Sequence, residues 1–245
     1  MDKNSKIDLS IIVPTFNEEA GIGKTIIEIF KDVKKASIRK LINSLEVIVV
    51  DDGSFDDTAR ELEKVKKNYK IKIIRHKFNQ GLGAAIITGI KHSTKEFATY
   101  LPADGQVFLR EISNGLEKAT AADLVLTYRG RREDYNPYRH LLSNTLMVSM
   151  KIFFGLNFKD YNWVHIYKTK LFEKIRTKSK GVFYLAEVVV RAKDKGLNIL
   201  EAQAKYHPRS TGYSKNAKPL IVIRTLIDLF KLWIELRFKS VVVKG

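Results

Sequence analysis

The sequence predicts an α/β protein, a mostly parallel sheet flanked by helices on both faces, followed by a C-terminal amphipathic helix. Three observations predict it. Runs dense in β-branched residues alternate with helical patterns through the first half of the chain. Each run ends in a polar or glycine-rich cluster, as buried parallel strands do where ligands gather at their carboxyl ends. Beyond residue 218, apolar residues recur at helical spacing opposite charged ones.

Taken in order, "DLSIIVP" (8–14) and "LEVIVVDD" (45–52) read as buried strands. Between them, residues 18–36 keep Ile22, Ile26, Ile29 and Phe30 on or near one helical face. "DDTARELEKVKKN" (56–68) is a helix capped by Asp56 or Asp57, with Leu62 and Val65 inward. "IKIIRH" (71–76) is a third strand, "GLGAAIITGIKHS" a helix opened by glycines, and "FATYLP" (97–102) a fourth strand. This βαβαβαβ order selects a parallel sheet covered on both faces. Further on, "ADLVLTY" (122–128) and "LNILEAQA" (197–204) read as strands, and 137–156 and 184–196 as helices. "HPRSTGYSKNAKP" (207–219) is a long loop by its Pro, Gly and Ser content. The expected organisation is one domain over 1–217 and a helical tail over 218–245, with Ile223, Leu226, Ile227, Phe230, Trp233 and Ile234 on the apolar side of the tail.

Bulk properties narrow the function. The 245 residues carry a formal net charge of +17 and no cysteine. The charge favours polyanionic partners, namely nucleic acid, anionic lipid or phosphorylated substrates, although a lysine-rich solvated surface would give the same number. No recognisable nucleic-acid motif accompanies it. Without cysteine there is no disulfide framework and no thiolate metal site. The N-terminal segment does not read as a signal peptide, and no uninterrupted apolar run approaches the ~20 residues that span a bilayer. A soluble or peripheral protein is expected, cytoplasmic or at the cytoplasmic face of a membrane.

Four clusters fall at strand ends. Asp51 and Asp52, followed by Gly53, suit a nucleoside base or ribose hydroxyl, whereas Asp56 and Asp57 are explained by the turn and helix cap. Asn79, Gly81 and Gly83 open a helix where backbone can approach a diphosphate, although such glycines are often turn residues alone. Asp104 and Gln106 offer hard oxygen ligands to a magnesium or manganese ion whose remaining positions would be filled by diphosphate and water; taken alone they also suit an Asx turn. Arg129 and Arg131, and later Arg209, Ser214 and Lys215, suit phosphate oxygens or a solvated surface. Glu187, in an apolar run, faces solvent or pairs with Arg191 at i+4.

These clusters, in this order, resemble the GT-A (Rossmann-like) inverting glycosyltransferases, and in particular the dolichyl-phosphate mannosyltransferase and polyprenyl-phosphate glycosyltransferase branch. "SIIVPTFNEEAGI", "VIVVDDGSFDDT", "NQGLGAAIITGI", "ADGQ" and "RSTGYSK" carry the resemblance, which extends over roughly 8–216. It implies that Pro14, Asn17, Glu19 and Asp51 or Asp52 surround the donor nucleoside, and that Asp104 and Gln106 hold Mg²⁺ or Mn²⁺ on the diphosphate. It implies that Arg129, Arg131, Arg209 and Lys215 grip donor or acceptor phosphates. The implied reaction moves a hexose from a GDP- or UDP-linked sugar to a polyprenyl phosphate by a single inverting displacement, at or near an anionic membrane surface. An anionic acceptor needs no strong base. A sugar hydroxyl acceptor would need one, for which Asp104, Glu187 and His165 are candidates.

Two departures stand out. Pro102 occupies the first position of the family's Asp-x-Asp pair. After Asp160, where the branch carries Gly-Phe-Arg or Gly-Phe-Lys, this chain has Trp163, Val164, His165 and Ile166. They keep open a nucleotide-sugar-binding or regulatory paralogue without turnover. Neither oligomeric state nor the identity of sugar and nucleotide follows from the residues.

Overall fold

The computed structural model describes residues 6–130, 135–207 and 219–242. The strands are β1 (Ile7–Thr15), β2 (Ile42–Asp51), β3 (Lys72–Arg75), β4 (Phe97–Tyr100), β5 (Leu124–Arg129), β6 (His165–Lys168) and β7 (Ile199–Ala204). The helices are α1 (Ile22–Lys34), α2 (Ala36–Arg39), α3 (Thr58–Lys66), α4 (Leu82–Lys91), α5 (Ser113–Leu116), α6 (Pro137–Phe154), α7 (Leu171–Lys174), α8 (Tyr184–Asp194) and α9 (Pro219–Val242).

The seven strands form one sheet in the order β3-β2-β1-β4-β6-β5-β7. β1 is its spine: Leu9, Ile11, Ile12 and Val13 are fully buried, and each such side chain contributes roughly 1.5–3 kcal/mol by leaving water. β1 runs parallel to β2 and β4, so their carboxyl ends emerge along one edge, with Thr15 opposite Asp51. α4 packs directly on this spine. A side chain at Gly89 would place its Cβ 2.4 Å from Ile12 Cγ2, so only glycine allows that approach.

The sheet departs from a simple parallel reading at β6, which lies antiparallel to both β4 and β5. Its residues "HIYK" are buried except for the last, so no two-residue alternation marks them as a strand. β4 stops at Tyr100 rather than running to Pro102. The Leu101 amide still donates to Ile12 O (2.9 Å), and the chain then turns. α2, α5 and α7 are four-residue helices too short to show a period.

α6 begins at a capped proline: Asn136 Oδ1 accepts from the Arg139 amide (2.9 Å), and Gly155 ends the helix at φ 65°. α9 lies against it, Phe153 meeting Trp233 edge to face and Phe230 at a tilt while Leu229 and Leu232 enter the core. Together these two helices roof the strand-end edge.

Candidate active site

The carboxyl ends of β1 and β2 are tied by reciprocal loop contacts. Asn17, at φ 52°, donates its amide to Ser54 Oγ (3.0 Å) and accepts from the Phe55 amide on Oδ1 (3.1 Å). Glu19 Oε2 accepts from the Asp57 amide (2.9 Å), and Asp56 Oδ2 accepts from the Glu19 amide (3.2 Å). Asp51 Oδ1 accepts from the Ser54 amide (2.9 Å). Its Oδ2 is 3.2 Å from Arg75 Nε, an ion pair whose geometry makes no hydrogen bond. Thr15 Oγ1, on the paired residue, is buried without a hydrogen-bond partner.

Asp52 builds the next corner. Its Oδ1 accepts from the Gln80 amide (3.0 Å) and its Oδ2 from the Gly81 amide (2.8 Å), holding the glycine turn that opens α4. His76 bridges the same carboxylate (Nδ1, 2.6 Å) to Thr88 Oγ1 (2.9 Å). The glycines follow from this packing. Gly53, at φ 76°, would place a Cβ 2.6 Å from the Phe78 carbonyl carbon, and Gly83 would place one 2.5 Å from Tyr184 Cβ.

These loops wall a cleft of about 620 Å³. Of the residues expected at the site, Pro14, Asp52, Asn79, Gly81, Asp104, Gln106 and Arg129 line it. Asn17, Glu19 and Asp51 stand behind that lining, fixing the loops, and Gly83 lies in the α4–α8 contact. Arg131, Arg209, Ser214 and Lys215 lie outside the described residues. Glu18, Asp160, Trp163, Arg139 and Asp228 also line the cleft, and composition and spacing had not selected them.

At the centre, Asp104 Oδ1 accepts from the Gln106 amide (3.1 Å), an Asx turn that sets both side chains on one corner. Gln106 Nε2 donates to Tyr206 Oη (2.9 Å), which leaves Oε1 as the amide's acceptor atom. Both residues are at least nine-tenths buried. Among the described residues no group of three or more His, Cys, Asp or Glu could hold a metal ion, so a cation here would rest on one carboxylate, one amide oxygen and the ligand's own oxygens. That donor set fits a hard divalent ion and does not fit zinc. Tyr100 lies beneath. Burial first, and then the Asp160 and Asp104 charges, raise its phenol far above the ordinary range against the opposing Arg129 charge.

Arg129 and Asp160 form a bidentate pair, Nε to Oδ2 at 2.8 Å and Nη2 to Oδ1 at 3.2 Å. Arg129 also donates to Tyr135 Oη (2.6 Å) and covers the Trp163 ring at 4.6 Å. Burial alone would lower the guanidinium pKa, but the Asp160 charge and hydrogen bonds hold it above its usual value. Arg129 therefore braces the cleft floor with its charge offset by Asp160, instead of standing ready for a phosphate as the resemblance implied.

Two of the base candidates are committed elsewhere. Glu187 is buried and accepts from the Lys178 amide (3.0 Å), the Ser179 amide (2.7 Å) and Arg191 Nε (2.7 Å). The Arg191 partner is the one expected at i+4, but the pair is internal rather than solvated. His165 is fully buried within β6, and burial pushes its imidazole down to about 4, leaving it neutral.

The opposite wall is α6 and α9. Leu142, Leu146 and Met147 of α6 and Ile221, Val222 and Leu226 of α9 line it. α9 is fastened to the 178–179 turn: Ser179 Oγ donates to Asp228 Oδ2 (2.6 Å), and Lys178 and Arg191 both reach Glu235 (3.0 Å). Outward, Leu141, Val148 and Ile152 of α6 and Ile223, Ile227, Phe230, Ile234 and Phe238 of α9 are exposed. No helix among the described residues is long and apolar enough to cross a membrane.

Comparison with known proteins follows this geometry. The profile of glycosyl transferase family 2 matches residues 10–178. An uncharacterised protein of Methanocaldococcus jannaschii is 32% identical over 161 residues, covering 64% of this chain and 58% of its own. A dolichyl-phosphate beta-glucosyltransferase of Dictyostelium discoideum is 30% identical over 158 residues, covering 60% and 48%. The chain thus spans about half the length of these curated relatives. Among solved structures, glucosyl-3-phosphoglycerate synthase from Mycobacterium tuberculosis, in complex with Mn²⁺, UDP and glucosyl-3-phosphoglycerate, superposes with a TM-score of 0.72 at 15% identity, over 94% of this chain and 81% of that one. The same enzyme with Mg²⁺ and UDP gives 0.69 at 14% identity, over 94% and 80%. That likeness shows the GT-A fold.

Proposed function

The chain belongs to glycosyl transferase family 2, and from that premise we propose that it moves a hexose from a nucleotide-diphosphate sugar to a polyprenyl phosphate, with inversion at the anomeric carbon. The observation that carries the proposal is the two-sided cleft. One side is strand ends bearing Asp52, Asp104 and Gln106, and the other is the apolar wall of α6 and α9. A charged nucleotide and an apolar chain have opposite solvation needs, and this cleft meets both.

In this reading the base lies by Pro14 and Thr15, whose buried Oγ1 lacks a hydrogen-bond partner, with Asp51 behind that lining and ion-paired to Arg75. Asn17 and Glu19 hold that pocket's loops, and Asp52 fixes the Asn79–Gly81 turn against the diphosphate. Asp104 and Gln106 would hold Mg²⁺ or Mn²⁺, which when bound offsets charge on the leaving nucleoside diphosphate. UDP is the first nucleotide to test, since the solved structural neighbours carry it; GDP is the second. Arg129, its charge matched by Asp160, holds the shape of the acceptor end rather than gripping a phosphate, and Arg131, Arg209, Ser214 and Lys215 are proposed to supply phosphate contacts there. With Glu187 and His165 committed to internal roles, an acceptor that is already anionic suits the cleft better than a sugar hydroxyl. The dolichyl-phosphate beta-glucosyltransferase relative supports the same acceptor class.

The exposed apolar faces of α6 and α9, with Arg224, Lys231 and Arg237 interspersed, suit the interface of an anionic bilayer, where a polyprenyl phosphate resides. The test is incubation of the protein with UDP- and GDP-sugars, Mn²⁺ and polyprenyl phosphate, with 3-phosphoglycerate as a soluble comparison acceptor and product detected by mass. A glycosylated lipid is expected. Transfer to the soluble acceptor alone would replace the lipid reading, and nucleotide binding without transfer to either would favour a regulatory paralogue.

A further inference from the structure

The segment after Asp160, one of the two departures from the family pattern, carries two unsatisfied polar atoms. Asn162 Oδ1 and Trp163 Nε1 are both buried, both without a hydrogen-bond partner, and both belong to residues that line the cleft. Each such atom costs about 1–3 kcal/mol when left unpaired, so two on consecutive cleft-lining residues would be stabilised by a polar ligand entering the cleft. One is an acceptor only and the other a donor only.

Their surroundings are held firmly. The Asn162 amide donates to Asp160 Oδ1 (3.1 Å), whose carboxylate is clamped by Arg129. The Trp163 ring is covered by Arg129 at 4.6 Å and met edgewise by Tyr206 at 5.5 Å. Tyr206 in turn receives the hydrogen bond from Gln106 Nε2 (2.9 Å). Trp163 therefore stands one aromatic ring away from the Asp104–Gln106 corner, with Asn162 the preceding residue on the same cleft lining. A hexose joined to a diphosphate held at that corner must occupy the space beside it.

We propose that Asn162 and Trp163 form the sugar-reading element of the cleft, pairing with hydroxyls of the transferred hexose. Oδ1 accepts from one hydroxyl, and the indole N–H donates to another. The proposal rests on the nucleotide-sugar reading above and adds to it the residues that select the sugar. A site whose polar groups are paired only by the correct hydroxyls rejects a sugar that lacks or inverts one of them, because the protein atoms stay unsatisfied.

The test is calorimetric titration of the full chain, with Mn²⁺ present, using UDP, UDP-glucose, UDP-galactose, GDP and GDP-mannose. It compares wild type with Trp163→Phe, which keeps a ring and removes the N–H, and with Asn162→Ala. For the donor that wild type binds more tightly than its parent nucleotide, each variant is expected to lose roughly tenfold in affinity for that donor while binding the parent nucleotide as before. Should Trp163→Phe fail to fold, Asn162→Ala alone carries the test, since its side chain is only partly buried. The proposal is overturned if the variants retain the sugar-dependent gain, if wild type shows no such gain with any donor, or if affinity for the bare nucleotide falls equally, which would make the pair structural. Failure of wild type to bind either nucleotide would instead overturn the underlying transferase reading, and the sugar-reading role with it.

Discussion

Arg129 and Asp160 meet from segments 31 positions apart, with no spacing rule to announce them. Their bidentate contact is buried, so removing one charge strands the other. Asp160→Asn is expected to destabilise the fold by about 3 kcal/mol, read as a fall in the denaturation midpoint at unchanged slope. The Asp104–Gln106 turn was legible from the sequence because both residues follow a buried strand, while their proposed metal role rested on the resemblance. That Asp52 clamps the Gln80 and Gly81 amides was not, since the partners lie 28 and 29 residues on. Asp104→Ala is expected to abolish the Mn²⁺-dependent part of nucleotide affinity and to leave the metal-free part intact; equal affinities with Mn²⁺ in both proteins would refute the metal corner. His165 gives a pH signature. Its folded pKa, about 4, lies below the usual His value, so the unfolded chain binds the extra proton as pH falls below about 6.5. Stability should decline between those limits, by up to roughly 3 kcal/mol near pH 4. His165→Gln should flatten that part of the curve.

At the scale of elements, β1 and β2 were legible as buried β-branched runs, β3 and β4 as short apolar runs after helical segments, and α1, α3 and α4 by one apolar face each, whereas α2 is too short to show one. β6 was not. It is four residues long, nearly all buried, and its direction is set by β4 and β5 rather than by its own sequence. The antiparallel insertion matters for the site, because it delivers Asp160–Trp163 to the cleft immediately before the strand begins. The C-terminal helix was legible as amphipathic, but its two roles were not separable by periodicity. Leu229 and Leu232 pack inward, Asp228 and Glu235 tie to the 178–179 turn and Arg191, and Ile227 and Ile234 face outward. Ile227→Asp with Ile234→Asp should therefore change stability by less than about 0.5 kcal/mol, since neither residue is in the core. The same pair should release the protein from anionic vesicles in a flotation assay. Undiminished flotation would show that this face does not contact lipid.

Over the whole molecule, a net charge of +17 surrounds a cleft whose functional corner is acidic. The positive surface draws anionic ligands inward, and in the proposed function Asp104 would hold the cation that the diphosphate meets. The α6–α9 roof, apolar both toward the cleft and toward its outer surface, joins the nucleotide end of the site to the face proposed to meet a bilayer. Charge and the strand-end clusters were visible in the sequence; the roof was not, because it needs two helices more than sixty residues apart to be brought together. The central claim is that this cleft transfers a hexose. Its most direct test is mass measurement of the polyprenyl phosphate after incubation with nucleotide sugar and Mn²⁺, for wild type and Asp104→Ala side by side. The account predicts a mass increase of one hexose with wild type and none with the variant. Product from both proteins, or from neither while the donor stays intact with every acceptor tried, would contradict it.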